Sequence, residues 1–402
     1  MSSPSTRDQA SSQRDQLTRI IDRYLKIDRI KMGTSQDRYL AVYQGLLRGP
    51  AVDLYDPLAE ALKAYQITPL FRNNNGKHAV ILREGLYQPE KRKSTINIIL
   101  FVITFLSVIF AGVFSIYEGP LTADLAVLWP NIQPILGKAI AFAVSLLGIL
   151  TAHEFGHYFA ARHHRTKVTL PYFIPFPISP FGTMGAFIRL QEPPKNKRVL
   201  LDIGLAGPLA GLIVAVPILI YGLTISEVKA LPFNLQEYIF EGNSLLYLGA
   251  KYLVHGEWLP RPISFQGLPP FLYWIRYFFS GMPLPRGGLD VELHPVAWAG
   301  WAGLLVTSLN LLPAGQLDGG HLVYSLFGQE SKKSWPYIIA ALVLLGFMWP
   351  GWWLWAVLIL FLGRMQAEPL DEITELDPLR VQLARLGLVI FVLVFTPVPL
   401  IY

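Results

Sequence analysis

The sequence predicts an α-helical polytopic membrane protein with about six to eight transmembrane helices, short membrane-associated strands and a small N-terminal α+β soluble domain. Of its 402 residues, 52% are hydrophobic and only 15% are charged, and the mean hydropathy is +0.39. Several apolar segments approach or exceed the roughly 18–20 residues that a helix needs to cross a bilayer. The chain has no cysteine, which excludes disulfides, thiolate metal ligands and a cysteine nucleophile.

The N-terminal region differs from the rest in its polarity. Residues 1–15 are rich in serine, glutamine and arginine, which predicts a disordered tail without a cleavable signal. Residues 16–92 combine helical spacing with strand patterns and predict the α+β domain. Within them, residues 68–84 show a strand, an Asn-Gly turn and a second strand, the pattern of a β-hairpin.

Residues 93–402 are predicted to form the membrane domain. One apolar segment, residues 168–190, contains four prolines and cannot be a single regular helix. Its final part, residues 182–190, has the pattern of a strand, and irregular backbone at membrane depth requires cover by protein or a water-filled cavity. Residues 335–363 are interrupted by Pro350-Gly351 and form either two short spans or one kinked span. The predicted spans are residues 95–117, 135–161, 201–224, 294–312, 335–349, 352–363 and 386–400.

Basic residues cluster at the ends of these apolar segments, which predicts the orientation of the chain. Clusters at 91–93, 162–167, 195–198 and 332–333 all fall on one side of the predicted topology, and the positive-inside rule makes that side cytoplasmic. The net charge of +6 therefore reflects membrane topology. Basic stripes with interleaved aromatic residues are absent from the sequence, so we predict no nucleic-acid partner.

The second predicted span ends in a pattern typical of helices that bind a metal ion. His153 and His157 are four residues apart, so both imidazoles lie on one helix face and can bind a single metal ion. Glu154 is placed to act as a general base toward a water molecule at that metal. A carboxylate inside a span costs about 2.5–3.5 kcal/mol on insertion scales, and a bound zinc ion would offset this cost. The plainer interpretation is a set of polar groups satisfied at the membrane interface.

The third metal ligand has two candidates. His163 lies six residues after His157, as in an extended zinc motif, but Ala160 replaces the glycine that turns the chain in that motif. On a continuing helix, His163 would point about 120° away from His157. Asp318 is the better candidate, because it follows a later span at the same side of the predicted topology.

The residues before Asp318 also favour its role as a metal ligand. Pro313 and Gly315 break the preceding helix, so the carboxylate can turn toward the histidines. A catalytic zinc ion needs three protein ligands and one open position. The alternative role for Asp318 is that of a helix N-cap at the interface. His294 and His321 are weaker ligand candidates.

Three segments together resemble a known family. These are "HEFGH" at 153–157, "GLAGPLAGL" at 204–212 and "NLLPAGQLDGG" at 310–320. In this order they resemble the motifs of the site-2 proteases, the intramembrane zinc metalloproteases of peptidase family M50, over about residues 90–400. The N-terminal domain, the segment "LPYFIP" and the lack of a recognisable PDZ insertion are similar to one subgroup. That subgroup includes the chloroplast ethylene-dependent gravitropism-deficient and yellow-green proteins and bacterial relatives.

The resemblance implies a role for each candidate residue. His153, His157 and Asp318 would bind one Zn²⁺ ion, and Glu154 would be the catalytic acid/base. Asn310 would help to position or stabilise the oxyanion. The implied activity is that of a zinc-dependent endopeptidase that hydrolyses peptide bonds within or near transmembrane segments, as in regulated intramembrane proteolysis.

The expected partners are transmembrane protein substrates and the lipid bilayer, whereas the oligomeric state stays open. We expect a multi-pass protein of a bacterial cell membrane, or alternatively of a chloroplast membrane, with the N-terminal domain and the opening of the site on the cytoplasmic side. The alternative function is a catalytically silent zinc-binding scaffold of the same fold. A metalloprotease with its site outside the bilayer would need a second acidic helix motif, and a transporter would need matching repeats. The sequence shows neither.

Overall fold

A computed structural model describes most of the chain and shows a small α+β domain joined to a helical bundle. Residues 1–5 of the predicted disordered tail lie outside the described residues, whereas residues 6–15 belong to the first helix. The basic cluster at 91–93 also lies outside them. The described residues are 6–34, 39–74, 76–88, 94–120, 122, 124–233, 239–362 and 368–401.

The N-terminal domain packs two helices against a four-stranded antiparallel sheet of order β1-β2-β4-β3. The predicted hairpin is confirmed, because β3 and β4 pair from Ile67↔Glu84 to Asn74↔Lys77. Fully buried apolar side chains, among them Leu58 and Phe71, fill its core. The elements are α1 (Thr6–Asp22), β1 (Leu25–Met32), β2 (Ala41–Leu47), α2 (Ala51–Lys63), β3 (Ile67–Asn74) and β4 (Lys77–Glu84).

The helical bundle follows the order of the predicted spans, with short strands between some of its helices. The first of its elements are α3 (Thr95–Ile116), α4 (Leu125–His163), β5 (Tyr172–Pro175), β6 (Thr183–Phe187), α5 (Lys197–Thr224), β7 (Glu227–Ala230), β8 (Phe240–Glu241), α6 (Leu245–His255) and α7 (Pro270–Ser280). The remaining elements are β9 (Leu289–Glu292), α8 (Pro295–Asn310), α9 (Asp318–Phe327), the 3-10 helix Gly328–Ser334, α10 (Trp335–Leu345), α11 (Gly351–Leu362), α12 (Pro378–Val394) and β10 (Leu400–Ile401).

Within the described chain, three helices are long and apolar enough to cross a membrane, namely α3, α4 and α5 with 22, 39 and 28 residues. Helices α8 and α12 also lie at predicted spans but have only 16 and 17 residues. The total of six to eight spans therefore stays a prediction. The buried apolar core of the bundle is formed mainly by α4, α5 and α8.

The last helix is displaced from its predicted position at residues 386–400. It begins at Pro378, because Asp377 caps its N-terminus by accepting a hydrogen bond from the Arg380 backbone N–H at 3.1 Å. It ends at Val394, before the prolines at 397 and 399. The chain beyond them forms β10, which pairs with β8.

The proline-rich segment after α4 forms an antiparallel hairpin of β5 and β6 instead of a helix, as its prolines predict. Two polar side chains of α3 satisfy its backbone. The Asn97 side-chain amide donates to the carbonyls of Leu170 and Pro171, each at 2.9 Å, and the Ser107 hydroxyl donates to Gly182 at 2.6 Å. Three carbonyls of the irregular backbone thus have hydrogen-bond donors within the protein, which an apolar environment requires.

A short extended segment, residues 369–373, joins the two parts of the molecule. The Phe71 N–H donates to Leu370 O at 2.9 Å, and the Glu372 N–H donates to Phe71 O at 3.1 Å. On its other side, the Asp371 N–H donates to Lys195 O at 2.8 Å. The segment therefore lies between strand β3 and the residues that precede α5.

Ion pairs place the basic segments of the sequence at this same end of the bundle, which we call the domain end. Lys195 pairs with Asp56 at 2.5 Å, and Lys332 pairs with Glu368 at 2.7 Å. Arg72 of β3 contacts the same Glu368 at 3.6 Å. Segments 195–198 and 332–333 thus share one end of the bundle, as the charge pattern predicts.

Replacing Asp371 tests the junction. Its carboxylate is fully buried and accepts hydrogen bonds from the backbone N–H groups of Ile373 and Thr374 and from the Thr374 hydroxyl. We expect Asp371→Ala to lower the thermal unfolding midpoint, because each donor left unsatisfied costs about 1–3 kcal/mol. Thermal unfolding of the purified chain in detergent measures this. Asp15→Ala, at an exposed position of α1, is the control, and equal midpoints for the two variants would contradict the assignment.

Candidate metal centre

Helix α4 carries both histidines of the motif on one face. His153 and His157 are 3% and 7% exposed, and their Nε2 atoms are 3.1 Å apart. The α-helix places residues i and i+4 almost directly above each other, so this proximity follows from the spacing. Buried imidazoles need polar partners, and their surroundings supply them.

Asp318, the first residue of α9, completes the group. Its Oδ2 lies 3.3 Å from His153 Nε2, and its Oδ1 lies 3.4 Å from His157 Nε2. Among the residues that the structure describes, these three form the one group of histidine and carboxylate side chains whose ligand atoms converge within 4.8 Å. The structure therefore brings together residues that are far apart in the sequence.

The spacing of these atoms fits a zinc ion. Two ligands on a tetrahedral zinc with bonds of about 2.0–2.1 Å are roughly 3.3 Å apart. The three measured separations, 3.1, 3.3 and 3.4 Å, agree with this value. Two imidazole nitrogens and one carboxylate oxygen also form a donor set that zinc prefers and that leaves the fourth position open.

A backbone carbonyl of α5 orients His157. The Nδ1 atom of His157 lies 2.7 Å from Ile203 O. Because a carbonyl oxygen only accepts hydrogen bonds, the ring N–H is the donor. The Nε2 lone pair is then left for a metal, the arrangement that protein metal sites commonly use. Sequence patterns do not contain this contact, because it depends on how α5 packs against α4.

The close packing of α4 and α5 depends on Gly207. A Cβ atom at this position would lie 2.0 Å from His157 Nε2, inside the volume of the ring. At Gly211, a Cβ atom would lie 3.2 Å from His153 Nδ1. The small-residue spacing of this segment predicts close helix contact, and the structure confirms it and shows that the histidine rings occupy the space.

A second glycine allows α9 to begin beside the end of α8. A Cβ atom at Gly319 would lie 2.0 Å from Leu311 O, so no larger residue fits there without a backbone shift. Asp318 is the first residue of the helix and not its N-cap, which is Leu317. Its carboxylate lies beside the histidines and makes no capping hydrogen bond in the helix, so the structure does not show the N-cap role that the sequence leaves open.

Glu154 and Asn310 border the same group. Glu154 is 4% exposed, and its carboxylate lies near the backbone N–H of Ile188, just after β6. The Asn310 side-chain amide nitrogen, at the end of α8, lies 3.2 Å from His153 Nε2. Both candidate catalytic residues thus lie next to the three candidate ligands.

The remaining histidine candidates lie outside this group. His163 is exposed at the end of α4, as expected for a helix that continues through Ala160. His294 caps the start of α8, at the opposite end of that helix from Asn310. His321 lies one turn after Asp318 and packs against Gly204 of α5.

One ionic cluster at the domain end was not anticipated from the sequence. Asp202 of α5 accepts hydrogen bonds from Arg380 of α12, at 2.6 Å from Nη2 and 2.9 Å from Nε, and lies 2.9 Å from His164 Nε2. It therefore ties together α5, α12 and the end of α4. Asp202 directly precedes Ile203, whose carbonyl orients His157.

Gly207→Ala tests the geometry of the centre. Alanine stabilises a helix relative to glycine by about 1 kcal/mol, yet here we expect loss of bound metal, because the methyl group would collide with the His157 ring. Elemental analysis of the purified protein measures metal content. Gly148→Ala is the matched control, since a Cβ atom at this position of α4 has no neighbour within 4 Å. Full metal content in Gly207→Ala would contradict the site.

The chain matches the model of one known protein family. The family model described as peptidase family M50 matches residues 141–279 and 289–348. The matched ranges contain all five candidate residues, and the match confirms the resemblance predicted from the motifs. No solved structure matches the chain.

Curated relatives agree with this assignment. The chain is 29% identical over 320 residues to the probable zinc metalloprotease EGY1, chloroplastic, of Arabidopsis thaliana, covering 75% of this chain and 53% of that protein. It is 26% identical over 377 residues to the probable zinc metalloprotease EGY2, chloroplastic, of Oryza sativa subsp. indica, covering 91% of this chain and 63% of that protein. The chain thus spans between about half and two thirds of the length of these relatives.

Proposed function

We propose that the chain, which matches the model of peptidase family M50 over residues 141–279 and 289–348, is a zinc-dependent intramembrane endopeptidase acting within or near transmembrane segments of other membrane proteins. The observation that carries this proposal is the convergence of His153, His157 and Asp318 beside the buried Glu154. The histidines and Glu154 lie on a helix long and apolar enough to cross a membrane. Burying these groups in a span is costly unless they serve a site.

The proposed reaction uses the side chains around the three ligands. Zinc, when bound by His153, His157 and Asp318, supplies Lewis acidity toward the attacking water and the scissile carbonyl. Glu154 takes a proton from that water and gives it to the leaving amine. The side-chain NH2 group of Asn310, which lies near His153, donates a hydrogen bond to the negative oxygen that develops on the substrate carbonyl.

The location of Glu154 next to β6 supports a mode of substrate binding. A transmembrane helix shields its peptide bonds, so a substrate must unwind locally before cleavage. The extended segment can then add to β6 by strand pairing, which would place its backbone beside the carboxylate that Ile188 N–H contacts. The plainer alternative is that the β5–β6 hairpin only fills the cavity above the site.

We propose an orientation for the molecule from the distribution of its charges. His157 lies five residues before Arg162, which is about 7.5 Å along the helix axis. The site is therefore within the bundle but near the domain end, where the basic segments lie. By the positive-inside rule we place this end, with the opening of the site, on the cytoplasmic side or the equivalent stromal side. The host membrane is proposed to be bacterial or chloroplast.

Glu154→Gln separates catalysis from metal binding. We expect cleavage of co-expressed single-span substrates to fall by at least about 100-fold, the usual contribution of a general base, while bound zinc is retained because the ligands are unchanged. Immunoblotting of substrate fragments and elemental analysis give the two readouts. His157→Ala should instead lose both zinc and cleavage. Equal cleavage by the wild type and Glu154→Gln would rule out the protease and favour the silent scaffold.

Proline in β6 tests the pairing of the substrate with this strand. Met184 is 68% exposed, and Met184→Pro would remove a backbone donor from the strand. We expect it to reduce cleavage strongly while zinc content stays unchanged. Met184→Ala keeps the N–H group and removes the side chain, so it should retain cleavage. If Met184→Pro cleaves as well as Met184→Ala, the strand does not bind substrate.

A further inference from the structure

Polar contacts hold helix α9 at its first residue and in its last turn. The first residue is Asp318, whose carboxylate lies beside His153 and His157. Tyr324 follows six residues later, which is about 9 Å along the helix axis and about 240° around it. Tyr324 is 1% exposed, and its hydroxyl donates a hydrogen bond to the carboxylate of Glu372. The helix is therefore held by the metal centre on one side and by Glu372 on another.

Glu372 belongs to the extended segment that joins the two parts of the molecule. Its backbone N–H donates to Phe71 O of β3 at 3.1 Å. Its carboxylate Oε2 lies 3.5 Å from Nε of Arg72, also on β3. The Arg72 guanidinium in turn donates to the carbonyls of Pro369 and Leu370, each at 3.1 Å. Strand β3 of the N-terminal domain thus holds Glu372 through both its backbone and its side chain.

Arg72, Glu372 and Tyr324 form one chain of contacts from β3 to the helix that begins with Asp318, and we call these three residues the domain link. The side chains of Arg72 and Glu372 are 18% and 7% exposed, and polar interactions are stronger away from water. A buried carboxylate that loses its cation is unfavourable. The position of Glu372 therefore depends on β3 remaining docked against this segment.

The hydrogen bond of Tyr324 adds a directional constraint to the apolar packing of α9. Leu322 packs in a cluster with Leu205 of α5 and Ala384 of α12. Such packing is non-directional, so it sets the rotation of a helix less sharply than a hydrogen bond does. A metal ligand must be held within about 0.5 Å of its productive position. A small rotation of α9 would move the Asp318 carboxylate by that much.

We propose that Glu372 and Tyr324 are positioning residues through which the docked N-terminal domain holds Asp318 in place to bind the metal. While β3 is docked, α9 keeps its rotation and the carboxylate faces the two histidines. When the domain moves away, Glu372 loses its backbone partner and its cation, and the constraint on Tyr324 is lost with them. The domain thereby controls how tightly zinc is held. This inference rests on the proposed zinc centre and adds a role for the N-terminal domain.

Tyr324→Phe tests the domain link, because it removes the hydroxyl and keeps the buried ring. The full chain is purified in detergent, and its zinc affinity is measured by competition with a chelator. The visible spectrum of the Co²⁺-substituted protein reports the ligand geometry. We expect zinc affinity to fall about threefold to tenfold, the effect of one hydrogen bond, and the Co²⁺ bands to shift. Wild-type affinity and spectrum in Tyr324→Phe overturn the domain link, whereas a wild type that binds no zinc overturns the metal centre itself.

Tyr247→Phe is the matched control. The Tyr247 hydroxyl also donates to a buried glutamate, Glu241, at 2.7 Å, but Tyr247 lies on α6, which carries none of the residues of the metal centre. Both variants lose one such hydrogen bond, so their thermal unfolding midpoints should fall alike. Zinc affinity should fall only in Tyr324→Phe. An equal loss of zinc affinity in both variants would make general destabilisation the cause and would overturn the proposal.

Arg72→Met extends the test to the N-terminal domain. We expect it to lower zinc affinity, and we expect the double variant with Tyr324→Phe to lose less than the product of the two single losses, because both act through Glu372. Arg48→Met is the control, since Arg48 pairs with Asp22 at an exposed position of the same domain. Losses that multiply independently, or an equal loss in Arg48→Met, overturn the proposal.

Discussion

The close approach of α4 and α5 at Gly207 is the constraint on which the rest of the centre depends. The His157 ring occupies the space that any side chain at this position would fill. This approach allows Ile203 O to accept the Nδ1–H of the ring, which directs Nε2 toward His153 and Asp318. A helix separation larger by even one methyl group would remove that hydrogen bond, and with it the orientation of the second histidine.

The position of α5 is itself fixed from several directions. Asn196 caps its start by accepting the Val199 N–H at 3.1 Å, and the fully buried Asp371 holds the residues just before it. Asp202 then ties its second turn to α12 and to the end of α4. The domain end of the bundle is thus held by polar contacts, whereas the interior is held by apolar packing.

The convergence of His153, His157 and Asp318 could be predicted because the signals for it are local in the sequence. The spacing of His153 and His157 defines one helix face, and the breakers before Asp318 indicate a turn at membrane depth. The contacts that hold the neighbouring elements in place were not predictable. Asn97 and Ser107 appear in hydropathy as weak interruptions of α3, although they satisfy carbonyls some 75 residues away. Such contacts depend on which helices become neighbours, and a single sequence does not contain that information.

The boundaries of the last helix show a different limit. Hydropathy places a span where apolar residues are densest, which led to residues 386–400. The cap at Asp377 and the prolines after Val394 decided the boundaries instead. In this helix, the local backbone signals at both ends therefore override average hydropathy.

Strand β3 lies at the edge of its sheet, and residues 370–372 cover that edge. Arg72 and Leu370, which meet there, are 298 residues apart in the chain. During synthesis the edge is therefore complete long before its partner exists, and unpaired edges are the places where chains associate wrongly. A fragment containing only the N-terminal domain would keep this edge exposed. Aggregation of such a fragment would result from the loss of residues 370–372 and would not be a property of the intact protein.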